Sequence, residues 1–222
     1  KNNIKLHSIY SGISKVGPDL GSDSVKLIKE NKVAILAGSD NENTVSSLNY
    51  GAIWHFFEQE LEYPLTHINV KNFKAISLDE FDTLIIPNGY YRSLGNESNL
   101  AKINSWIAAG GNLIAFENAI RIFANKDGFS IKVKRNSENS DEEVKYEDLS
   151  RNRIQNYLSG AIFKVKIDNT HPIAYGYEKE YYSLKTSTST YETLDRGFNV
   201  GKIINSENAT IGFVGDKIKE KF

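Results

Sequence analysis

The chain has 222 residues, 40% of them hydrophobic and 25% charged, enough for one globular domain with a real core, or one domain plus an appendage. Its 27 Lys and Arg against 28 Asp and Glu leave a net charge of -1, so no overall field draws in nucleic acid or an anionic membrane. It has no Cys, which excludes disulfides, thiolate zinc sites and Cys nucleophiles, and no apolar run approaches the ~18–20 residues of a membrane helix.

Residues 1–30 are polar and turn-rich, centred on SGISKVGPDLGSDS (11–24). They read as a connecting arm, docked rather than folded alone. The domain proper starts at KVAILAG (32–38), an apolar run ending in Gly, as expected of a strand buried on both faces. A polar loop, SDNENT, leads into SSLNYGAIWHFFEQELEY (46–63). Tyr50, Ile53, Trp54, Phe57 and Leu61 recur there at helical spacing, which predicts an amphipathic helix over 46–61 that buries this stripe. Pro64 ends it, and LTHINV (65–70) reads as a second strand.

FDTLIIPNGYY (81–91) is a third strand that opens into a loop at Asn88-Gly89. A helix over roughly 97–109 follows, with Leu100, Ile103, Trp106 and Ile107 on one face and Gly110-Gly111 as its stop. NLIAF (112–116) is the fourth strand and ENAIRIFANK (117–126) a further helix. This alternation predicts right-handed βαβ units and a parallel sheet. Residues 134–153 are almost all polar or charged, a solvated insertion. Beyond them AIFKVKI, YYSLKTSTST, FNVGKII and ATIGFV predict added strands. The fold class is therefore α/β: a flavodoxin-like three-layer sandwich with additional C-terminal β-strands.

Open parallel sheets bind ligands beyond the carboxyl ends of their strands. That places Ser39 and Asp40, Asn88 and Gly89, and Glu117 and Asn118 around one candidate pocket. The turn from NLIAF into ENAIRIFA is the strand-to-helix elbow where such folds hold a nucleophile. It carries Glu117 and Asn118, with no Ser, Cys or Thr, and Glu117 is read as a helix cap rather than a base. No catalytic residue is assigned. His55-x-x-Glu58, with His171 further on, matches the ligand pattern of zinc carboxypeptidases, but a regular helix would put His55 and Glu58 on neighbouring ridges. It is read as a helix flank, His171-Pro172 as a turn, and no metal is assigned to the three. No phosphate-binding Gly loop occurs, and Asn96-Glu-Ser and Asn208-Ala-Thr are taken as chance glycosylation patterns.

DLGSDSVKLIKENKVAIL (19–36), YGAIWHFFEQELEYPLT (50–66), WIAAGGNLIAFENA (106–119) and SGAIFKVKIDNTHPIAYGY (159–177) together resemble the C-terminal region of secreted bacterial zinc carboxypeptidases of the carboxypeptidase A type. In those proteins a class I glutamine amidotransferase-like domain follows the peptidase domain. The resemblance spans about residues 15–215. It implies a secreted or periplasmic parent enzyme whose zinc lies in a peptidase domain upstream, so no cofactor is expected in this segment. It also implies that the amidotransferase chemistry is lost, since Glu117-Asn118 replaces the elbow Cys. The absence of Met, initiator included, reads as a fragment or processed form, and the end at KIKEKF as a C-terminal truncation. The expected partners are the peptidase domain of the same polypeptide and a peptide or small-molecule ligand, with no nucleic acid and no membrane. The rival reading is a free-standing hydrolase with a carboxylate-based site at the strand ends.

Overall fold

The computed structural model describes residues 5, 7–26, 28–134, 144–204 and 209–220. Its centre is a four-stranded parallel sheet. Strand β1 (Val33–Ala37) leads to the short β2 (Asn43–Val45) and helix α1 (Ser47–His55). Next come β3 (Leu65–Asn69), β4 (Thr83–Ile86), β5 (Gly89–Tyr91), α2 (Glu97–Ala108) and β6 (Asn112–Ala115). The order across the sheet is β3-β1-β4-β6, every pair parallel. The four apolar runs of the sequence are these four strands. They alternate between two cores. Ala34, Leu36, Leu84 and Ile86 pack with Ile103 and Trp106 of α2, and Val33, Ile35 and Ile85 pack with Ile53 of α1. Helices thus cover both faces, the three layers of a flavodoxin-like fold.

Two helical expectations need correction. α1 is regular only to His55, and Phe56–Glu60 form a π-turn. There the Leu61 N–H donates to the Phe56 carbonyl at 3.0 Å, five residues back. The widened turn shifts the phase of the stripe. Ile53 stays buried, Tyr50, Trp54 and Phe57 are half-buried, and Leu61 is 53% exposed. On α2, Ile103 and Trp106 are buried as expected and Ile107 is half-buried. The helix expected over 117–126 is a shorter 3-10 segment, Glu117–Ile122. Its first residue, Glu117, has a left-handed φ of 48°, and Asn125 at φ 57° follows its end.

Past it, α3 (Leu149–Gln155) precedes a second, antiparallel sheet of β7 (Leu158–Ile167), β8 (Glu180–Lys185), β9 (Gly201–Ile203) and β10 (Ile211–Val214). β8 lines one edge of β7, while β10 and β9 share the other. α4 (Asp216–Lys219) closes the described chain and buries Ile218 with Leu158, Ala161 and Phe163. The described part of the N-terminal arm keeps Tyr10, Ile13, Val16 and Ile28 exposed. Of the 134–153 insertion expected to be solvated, residues 135–143 lie outside the described residues, as does Asn208 of the second glycosylation pattern, while 144–151 are exposed and run into α3. Asn96 of the first is the N-cap of α2, its side chain accepting from the Asn99 N–H at 2.9 Å.

Candidate functional site

In the order β3-β1-β4-β6 the chain leaves β1 toward β3 on one side and reaches β4 on the other. The crevice of such a sheet therefore opens between the carboxyl ends of β1 and β4. Here a small ribbon sits on it, for β2 pairs antiparallel with β5, Asn43 to Tyr91 and Val45 to Gly89. Gly89 is a steric necessity of that ribbon, because a Cβ there would lie 2.3 Å from the Thr44 carbonyl oxygen.

Besides Gly89, which also stays in a cavity wall, the ribbon takes up Ser39 and Asp40 of the six candidate residues. Ser39 forms a bridge with Thr44. The Asp40 carboxylate accepts from the Glu42 N–H at 2.8 Å, the Asn43 N–H at 2.7 Å and the Asn43 side-chain amide. The Asn43 side-chain bond, then the Glu42 bond, holds the Asp40 carboxyl below the usual carboxylate range. Asn43, only 1% exposed, also donates to Ser93 Oγ at 2.5 Å and accepts from the Leu94 N–H at 3.3 Å. Asp40 thus works as a turn cap that holds a buried amide.

The other four residues fall on two cavities either side of the Glu117–Ile122 segment. The first, about 590 Å³, is lined by Thr44, Ser46, Asn88, Gly89, Tyr90, Tyr91, Asn118, Arg121 and Ile122. Its frame is amide-built. The Asn88 side-chain oxygen accepts from the Asn118 backbone at 3.3 Å and from its side chain at 3.2 Å, and the Asn88 N–H donates to Asn49 Oδ1 at 2.8 Å. Tyr91 donates its hydroxyl to the Pro87 carbonyl at 2.8 Å, and burial pushes its phenol well up from the ordinary value. Arg121 supplies the one charge in the lining.

The second cavity, about 580 Å³, lies between Glu117, Asn118 and Ile120 and the second sheet, where Ser183, Lys185, Ser187 and Tyr191 face it. Burial lowers the Lys185 ammonium and raises the Tyr191 phenol, against which Arg121 pulls down. The Glu117 carboxylate accepts no hydrogen bond among the described residues. Sequence reasoning missed Arg121 and Ser46. Arg121 lies four residues past the elbow and reads as one more polar position of a helix, and Ser46 falls inside the helix expected over 46–61, whereas it is the N-cap of α1.

The residues of the H-x-x-E pattern part company. His55 pairs with Glu60 at 3.4 Å, Glu58 with His67 at 3.1 Å, and His171 caps the Pro172–Ala174 turn and packs against Phe198 with the rings tilted at 54°. Among the described residues no three His, Asp or Glu side chains converge as a metal site would need, and no helix is long and apolar enough to cross a membrane.

The layering and strand order define an α/β domain of flavodoxin-like type. No family model matches the chain, and no curated protein matches it. Among solved structures it is similar to a glutamine amidotransferase from Thermotoga maritima, at 10% identity and a TM-score of 0.48 over 78% of this chain and 67% of that one. It is also similar to a ThuA-like protein from Bacteroides uniformis, at 10% identity and a TM-score of 0.39 over 77% of this chain and 64% of that one, so it spans less than two thirds of that protein's length.

Proposed function

We propose that this is a non-catalytic accessory domain that holds a polar ligand or a peptide in the strand-end crevice beside Asn88, Asn118 and Arg121. The observation that carries this reading is the lining itself. It offers hydroxyls, amides and one guanidinium, with no carboxylate or imidazole among the described lining residues. Such a wall can orient a ligand by hydrogen bonds, yet it supplies no base to deprotonate a hydroxyl nucleophile. The parent enzyme is a secreted zinc metallocarboxypeptidase whose peptidase domain packs on this one and carries the zinc. That part of the proposal rests on the four stretches of sequence resemblance. The test is to titrate zinc into the chain and assay peptide hydrolysis. No turnover is expected, and chelator-sensitive turnover overturns the accessory reading.

One feature favours the rival hydrolase. Glu117 holds a left-handed φ at the elbow, with an unengaged carboxylate facing a cavity that Ser183, Ser187 and Tyr191 also line. Backbone strain of this kind clusters at functional sites. An acyl-hydrolase probe that labels the chain, with labelling abolished by Glu117→Gln, would establish that alternative.

A further inference from the structure

At the end of the second sheet, a separate cleft of about 590 Å³ is lined by Lys166, Ile167, Asp168, Asn169, Lys179, Asn199 and Lys202. Lys166 and Lys202 stand directly opposite each other on the antiparallel strands β7 and β9. Directly opposed side chains have Cβ atoms about 4.5–5.5 Å apart, and like charges there repel. The expected remedy is missing. Glu180 is the register partner of Lys166 on β8, yet its carboxylate reaches diagonally to Lys164 at 2.6 Å. Neither Lys166, Lys179 nor Lys202 has an ion-pair partner among the described residues.

The other polar groups of the cleft are accounted for. The Asn199 amide is spent on the backbone of Leu194, at 2.8 and 2.9 Å. Asp168 turns one oxygen to the Thr170 hydroxyl and N–H, at 2.6 and 3.2 Å. The Thr170 hydroxyl first, then its N–H and the nearby His171, hold the Asp168 carboxyl below its usual range. The carboxylate therefore stays ionised and offsets one of the three ammonium groups. What remains is an uncompensated double positive charge, with the side-chain amide of Asn169, unpartnered among the described residues, as an extra donor.

We infer that this cleft is a binding site for a divalent oxyanion, the phosphoryl group of a phosphate ester or free phosphate, seated between Lys166, Lys179 and Lys202. Three ammonium groups supply point-charge donors on flexible stems, which suit a tetrahedral oxyanion. The inference is independent of the strand-end crevice.

The test uses the full 222-residue chain and the variants Lys166→Gln, Lys202→Gln and the double variant. Inorganic phosphate and glycerol 3-phosphate are titrated separately, with chloride at matched ionic strength as control, and backbone amide resonances are followed by NMR. Phosphate should shift the amides of 166–169 and 202 saturably, with affinity at least tenfold weaker in the double variant. Equal affinity for the two ligands assigns the site to the free ion, and tighter binding of the ester to a phosphoryl group on a larger molecule. Shifts that chloride reproduces, or that survive the double substitution, overturn the site. A second readout needs no ligand. At low salt Lys202→Gln should raise Tm by relieving the opposed charges, and the gain should vanish at high salt. A lower Tm at low salt would overturn the premise of unrelieved repulsion.

Discussion

The Glu58 carboxylate and the His67 imidazole meet at 3.1 Å, joining the π-turn after α1 to the edge strand β3. A carboxylate can only accept, so His67 Nε2–H is the donor, and in the neutral ring Nδ1 then accepts from the Tyr50 hydroxyl at 2.7 Å. The second Glu58 oxygen accepts from Trp54 Nε1 at 2.8 Å. Tyr50, His67, Glu58 and Trp54 thus form a chain of four side chains, with Glu58 on the π-turn at its centre. The pair is partly exposed, so its coupling should be modest, about 0.5–1 kcal/mol. A double-mutant cycle of Glu58→Gln and His67→Gln in urea should return that value. Strict additivity would show that the network contributes no coupling.

Asn43 is the more costly polar residue to lose. Its amide ties Asp40 to Ser93 and Leu94 inside the ribbon that closes the crevice. Asn43→Ala should leave the buried Leu94 N–H without its partner and remove the bond to the half-buried Ser93 hydroxyl, at about 1–3 kcal/mol. Chemical denaturation measures this, and a loss below about 0.5 kcal/mol would mean that water replaces the amide.

The two central strands were legible because a strand covered on both faces is apolar almost throughout, as VAILA and TLII are. The edge strands β3 (LTHIN) and β6 (NLIA) mix polar and apolar positions and were legible from the strand–helix alternation. The ribbon was not, since β2 and β5 are three residues each and mostly polar or glycine. Their pairing is a long-range contact with no periodicity to read, so the capture of Ser39 and Asp40 was invisible as well. Asn88, Gly89 and Asn118 were legible, because topology alone places strand-end loops together. The stripe through Leu61 misled for a different reason: hydrophobic spacing does not report a change from four-residue to five-residue hydrogen bonding. At the elbow the expected α-helix is a 3-10 segment that opens on the left-handed Glu117, a backbone conformation that side-chain spacing does not report.

The two tryptophans should now separate. Trp106 is 5% exposed and donates Nε1–H to the Phe81 carbonyl at 3.0 Å, whereas Trp54 is half-buried beside the π-turn. Trp106→Ala should cost about 3–5 kcal/mol, and Trp54→Ala clearly less. Gly111→Ala probes the same site from the other side, because a Cβ there would sit 2.2 Å from the Trp106 ring. It should destabilise by about 1–3 kcal/mol through overpacking. Equal losses at Trp54 and Trp106 would contradict the packing described here.

Tyr91 predicts an alkaline transition. Burial raises its pKa in the folded state above the ordinary value of 10.0, so the folded chain holds this proton more tightly than the unfolded one. The resulting stability is complete below pH 10 and declines as pH rises past it toward the folded-state value. Tyr91→Phe should lose about 1 kcal/mol at neutral pH through the missing bond to Pro87. Its stability should then fall less steeply above pH 10. Parallel pH profiles for the two proteins would show that other groups govern the alkaline limb.

Glu117 offers the sharpest separation of strain from use. A left-handed backbone costs a residue with a Cβ about 1–2 kcal/mol, a cost that glycine escapes. The Glu117 carboxylate makes no hydrogen bond among the described residues that would offset this. Glu117→Gly should therefore stabilise the fold, by about 1 kcal/mol once the added freedom of the unfolded chain is deducted. Glu117→Ala keeps the strain and should leave stability near that of the parent chain. If Glu117→Gly is instead destabilising, the carboxylate does structural work in the folded state. If it is stabilising, a strained glutamate sits at the elbow where glycine would be more stable, and its carboxylate is then the group to follow when ligands for the cavity against the second sheet are screened.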